Sequence, residues 1–188
     1  MNNWVKILIM VGFLSITAAI VYFFWKKKKE DEPIQIIDKI NELERHPTKQ
    51  YSTRNLSQIT GITVHHSAST TWTAEDFARY HVNSKGWPAM GYTYVIEKNG
   101  DIIQANPLNL ITYHQGAGNN TGELGIVLSG NFDIEQPTTE QMISLKKLID
   151  YSRKTLPNYL PVTGHRDHKA TACPGKNLYD KLHQFNQA

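Results

Sequence analysis

The sequence predicts an α/β domain with a mixed central β-sheet flanked by helices, preceded by one N-terminal transmembrane helix. Three features lead there: a charge-free apolar run near the start, short β-branched or apolar runs that read as strands, and longer stretches with three-to-four apolar spacing that read as helices. Strand-like and helix-like segments are interspersed along the chain, which is the pattern of an α/β sheet. The 188 residues suit one ordinary domain with an appendage. The expected organisation is an anchor with a basic stop over 1–29, a helical or irregular linker over 30–57, and a folded domain over 58–188.

From Ile7 to Trp25 nineteen residues carry no charge. As a helix they would reach about 28 Å, enough to cross a bilayer. Trp4, Tyr22 and Trp25 fit interfacial positions, and Lys26 to Lys29 form a polar stop. A cleaved signal peptide is the competing reading; the lysines follow the apolar run instead of preceding it, and no A-x-A-like site follows. These lysines would place the C-terminal part on the cytoplasmic side, so the orientation stays open. Ile36, Ile37, Ile40 and Leu43 then predict a short amphipathic helix, and Pro47 starts an irregular segment.

Gly61 to His66 reads as a strand. Thr73 and Asp76 have capping-box spacing and open a helix running to about Asn83. Tyr92 to Glu97 and Asp101 to Ala105 flank Asn99-Gly100, a strong hairpin signal. Leu124 to Leu128 suits a buried central strand. Thr138 and Gln141 cap a long helix with Met142, Leu145, Leu148, Ile149 and Leu156 on one face, and Gly175 to Phe185 reads as a last helix with Leu178, Leu182 and Phe185 inward.

The net charge of +3 raises the question of nucleic-acid binding. The excess comes from the lysines before residue 33. No basic stripe with interleaved aromatics follows, so no nucleic-acid partner is expected. A single cysteine, Cys173, rules out an intramolecular disulfide.

Of eight histidines, four fall in close pairs: His65-His66 at a strand end, and His165 with His168 in a loop before Cys173. Two imidazoles and a thiolate would make a catalytic zinc set with one position left for water. The spacing alone is equally open to a cysteine nucleophile with His165 or His65 as its base. Adjacent strand residues point to opposite faces, so His65 and His66 do not readily share one pocket.

Five segments carry a family resemblance: VHHSAS (64–69), GWPAMGYTYVIEKNG (86–100), HQGAGNN (114–120), LGIVLSG (124–130) and GHRDHKATACPG (164–175). Together, in this order, they resemble the type 2 N-acetylmuramoyl-L-alanine amidases, a family that includes T7 lysozyme-like endolysins and peptidoglycan recognition proteins. The resemblance covers about residues 58–186. It implies zinc on His65, His165 and Cys173, an active-site tyrosine at Tyr92, and Thr171 where some members have lysine. It also implies a substrate-cleft loop from His114 to Asn120.

Val127 stands where some members have a strand glutamate, and Glu123 precedes that strand. The implied reaction is hydrolysis of the amide between the lactyl group of N-acetylmuramic acid and L-alanine by zinc-activated water, with peptidoglycan as substrate; the N-terminal apolar run separately makes a lipid bilayer the second expected partner. Thr171 would stabilise the oxyanion and Tyr92 would orient a proton. Recognition-type relatives without the cysteine would bind peptidoglycan without cutting it. A structural zinc site would need a fourth ligand such as His168.

Overall fold

The computed structural model describes residues 18–116 and 118–187. The chain divides into two compact units, residues 1–33 and 34–188. In the first, residues 18–31 form helix α1, with Lys26 paired to Glu30 one turn on. Most of the apolar run from Ile7 lies outside the described residues. Among those described, no helix is long and apolar enough to cross a membrane.

The second unit is a six-stranded mixed sheet in the order β1-β4-β3-β5-β2-β6. Its strands are β1 (Ile36–Asp38), β2 (Gly61–His66), β3 (Tyr94–Ile96), β4 (Ile102–Gln104), β5 (Glu123–Leu128) and β6 (Val162–Gly164). Parallel pairing of β5 with both β2 and β3 makes it central, as its continuous apolar run predicts. β3 and β4 form the antiparallel hairpin. Gly100, at φ +90°, supplies the left-handed turn residue between them.

Alternation along the strands sorts side chains into two layers. Ile62, Val64, Tyr94, Ile96, Leu124, Ile126 and Leu128 join Leu145, Leu148 and Ile149 of α3 (Thr139–Thr155) and Leu178 and Leu182 of α4 (Lys176–Leu182) in one core. Val95, Ile103 and Val127 face the other way, against Ala74, Phe77 and Ala78 of α2 (Ala74–Arg79). Capping boxes at Thr73 and Thr138 start α2 and α3 at the positions the sequence marks. A π-helical turn, Tyr80–Ser84, continues α2.

Two expectations are corrected here. The stretch expected as an amphipathic helix instead forms β1, which pairs in parallel with β4, followed by a turn over 40–43; Ile36 packs partly into the core while Ile37 stays exposed. Non-local strand pairing overrides a weak local periodicity over so short a segment. The segment expected as a linker also belongs to the compact unit from Ile34 on. Leu43, Tyr51 and Arg54 are all buried. The Arg54 side chain donates to the carbonyls of Leu108, Asn120, Thr121 and Glu123, contacts no spacer would make.

Candidate metal centre

His65, the last residue but one of β2, lies on the face opposite the α3 core, where Gly61 and Thr63 precede it. His66 points the other way, and its Nδ1 accepts the backbone N–H of Phe132 at 3.2 Å. His165 starts a short 3-10 turn directly after β6, and Cys173 follows that loop. Parallel pairing of β6 beside β2 brings these distant segments to one sheet end. Donor atoms of His65, His165 and Cys173 all lie within 4.8 Å of one another. His65 Nδ1 faces Cys173 Sγ at 3.6 Å.

The residues fit zinc. Two imidazoles and a thiol are a catalytic zinc donor set. His165 Nε2 is buried with no hydrogen-bond partner among the described residues, a state that costs free energy unless a ligand takes its lone pair. His168 stands outside the set: its Nε2 meets Thr163 Oγ1 at 2.8 Å and Thr63 Oγ1 at 3.4 Å. No fourth protein ligand closes the site among the described residues, which leaves a position for water or substrate.

Burial governs protonation here. Desolvation, reinforced by His114 and His165, holds His65 well below the usual imidazole range. Burial pushes His114 down to about 3 and lowers His165, against the opposing pull of the Gln115 carbonyl on His165. The imidazoles are therefore neutral near pH 7, the form that binds metal. Burial pushes the Cys173 thiol up to about 12, so a metal must displace its proton.

Tyr92 lies against His65, ring centroids 5.1 Å apart. Burial, then the neighbouring Cys173, raises its phenol and keeps it a hydrogen-bond donor. Thr171 is exposed; its hydroxyl oxygen accepts the Cys173 N–H at 3.3 Å, leaving its own proton to donate. Val127, fully buried, pairs with His65 in register and offers no carboxylate. Glu123 sits four residues back, beside Gly61, with its carboxylate accepting from Thr63 Oγ1 at 3.0 Å. Burial raises its pKa.

A cleft of about 590 Å³ has His165 in its wall together with Trp87, Tyr113, His114, Asn120 and Lys169. Of this lining the sequence marks His114 and Asn120 as cleft residues and His165 as a metal ligand. Trp87 lies within 86–100 and Tyr113 directly before 114–120, but nothing local in the sequence marks which aromatic faces a cleft. The His114 ring contacts His65, and Asn120 binds backbone amides of its own turn.

Residues 55–176, more than half of the chain, match the family model described as N-acetylmuramoyl-L-alanine amidase. The chain belongs to the N-acetylmuramoyl-L-alanine amidase family. Among curated relatives of this amidase-family chain, peptidoglycan recognition protein 1 of Bos indicus is 30% identical over 133 residues, covering 69% of this chain and 70% of that one. Peptidoglycan-recognition protein SC2 of Drosophila melanogaster is 26% identical, covering 60% and 61%. The solved amidase LysC from Clostridium intestinale aligns with TM-score 0.66 at 26% identity over 82% of this chain and 99% of that one. Drosophila PGRP-LB shares the fold, with TM-score 0.71 at 23% identity over 79% and 92%.

Proposed function

We propose that this protein is a zinc-dependent peptidoglycan hydrolase that cleaves the amide between the lactyl group of N-acetylmuramic acid and the L-alanine of the stem peptide. The observation that carries this reading is Cys173 completing, with His65 and His165, a donor set within 4.8 Å beside the cleft. When bound, zinc supplies Lewis acidity toward the scissile carbonyl and makes water acidic enough to ionise near neutral pH.

The chain's own side chains supply the rest. Tyr92, protonated and pressed against His65, orients the reacting carbonyl or water by donating a hydrogen bond. Thr171, held beside Cys173, donates to the oxygen on which negative charge develops. Trp87 and Tyr113, ring centroids 5.8 Å apart and edge to face, offer apolar surface to the sugar or stem.

A second reading, peptidoglycan recognition without hydrolysis, is favoured by the curated relatives' names and by a solved PGRP-LE complex with tracheal cytotoxin, a monomeric diaminopimelic acid-type peptidoglycan. The complete donor set supports hydrolysis over binding alone. Purified full-length chain in detergent, incubated with sacculi, should contain one zinc and release new L-alanine amino termini. Sacculus binding with no release would leave only the recognition reading, and full release by metal-free protein would remove the zinc.

The charge-free run from Ile7 to Trp25 supports a membrane anchor as part of the same proposal. Protease accessibility of the C-terminal unit in intact membranes tests both anchorage and sidedness. Complete solubility without detergent would defeat it.

A further inference from the structure

We infer that the turn from His114 to Asn120 is a positioning device for the two histidine donors, and that His114 acts on His65 rather than on substrate. The inference rests on the zinc reading above. His65 Nε2 and His114 Nδ1 are 3.1 Å apart, with the rings nearly perpendicular at 88°. One proton bridges them. His114 Nε2 faces the Glu123 backbone carbonyl at 3.4 Å, an atom that only accepts.

That carbonyl settles both tautomers in turn. His114 carries its proton on Nε2, so its Nδ1 accepts, so His65 Nε2 must donate. The His65 lone pair is then on Nδ1, the atom facing Cys173 Sγ. A ligating imidazole whose second nitrogen is held by a partner is the usual outer arrangement of a metal site. Both nitrogens of His114 are used within the protein, which leaves none for a substrate.

The turn is itself held from several sides. Asn120 Oδ1 accepts from the backbone N–H of His114 at 3.1 Å and of Gln115 at 2.9 Å, and its Nδ2 donates to the Gly116 carbonyl at 2.9 Å. Arg54 Nη1 donates to the carbonyls of Asn120, Thr121 and Glu123. The His114 ring lies flat against β5, where a Cβ on Gly125 would come within 2.7 Å of His114 Cγ. The same turn presents the Gln115 carbonyl to His165. One latch, Asn120, thus governs the supports of both rings.

The test uses full-length protein in detergent, with zinc affinity from chelator competition, the His65 tautomer from ring-nitrogen NMR of the metal-free form, melting curves, and KM and kcat on a muramyl peptide. His114→Phe removes the acceptor and should weaken zinc by roughly ten- to a hundredfold and mix the His65 tautomers. His114→Gln restores an acceptor oxygen and should return affinity to within a few fold. Asn120→Ala should shift affinity in the same direction by less. Unchanged zinc affinity and an unchanged His65 tautomer in His114→Phe, with a raised KM, would overturn the inference and return His114 to substrate binding. Wild-type protein that binds no zinc would instead sink the underlying zinc reading, whatever the variants do.

Discussion

The two faces of β2 are equally buried and do opposite work. Ile62, Val64 and His66 enter or border the core beneath α3 and α4, a largely apolar cluster in which the His66 ring is satisfied by the Phe132 amide. Gly61, Thr63 and His65 face a layer of polar groups: Gln115 and Glu123 on Thr63, His114 on His65. On that side His165 Nε2 and Gln115 Oε1 are buried without partners among the described residues. Stability is concentrated on one face, and unmet bonding capacity, which a ligand can use, on the other.

The strongest way to break this comparison is to swap the adjacent histidines. His65→Ala should abolish zinc binding and turnover, while His66→Ala should keep most of the zinc, as atomic absorption would report. The reverse result would put the metal on the wrong face. Next in size, Leu148→Ala in the apolar core should cost about 2–5 kcal/mol of folding stability in denaturant melts. Zinc stoichiometry of the folded fraction should not change; a parallel loss of zinc would mean that the faces are not separable.

Smaller effects sharpen the polar side. Thr171→Ala should lower turnover roughly tenfold to a few hundredfold through one lost hydrogen bond, with normal zinc content and melting. Tyr92→Phe, at a ring packed against the His65 donor, should lower turnover by at least as much with little change in sacculus binding. Wild-type kinetics in both variants would remove them from the mechanism.

The smallest effect concerns pH. Burial, helped by Lys85, depresses His81 to about 4, and its Nδ1 accepts the Gly91 N–H. Above about 6.5 folded and unfolded forms are both neutral, so this contribution is fully present. As pH falls from about 6.5 toward 4, the unfolded chain takes a proton that the folded one refuses, and stability drops by up to about 1.4 kcal/mol per unit. His65, His114 and His165, also depressed by burial, add to the slope in metal-free protein, so His81→Gln should reduce it by one group's share without abolishing it; an unaltered slope would show that His81 does not contribute.

Local signals determined much of this protein by themselves. The Asn99-Gly100 turn, the capping boxes at Thr73 and Thr138, and the apolar runs of β2 and β5 all act within a few residues, and each element appears where those signals put it. Strand alternation separated His65 from His66, because it is a property of a single strand. What only the tertiary structure decided depends on segments far apart in the chain. β1 exists through its pairing with β4, and β6 through its pairing with β2; neither three-residue strand has a pattern of its own. The same holds for Arg54 clasping the 120–123 backbone, for His168 turned onto two threonines, and for the His65–His114–Glu123 chain of hydrogen bonds. Residue type declares what a side chain can bond, but which partner it meets is decided when the sheet closes and long-range packing outweighs local preference.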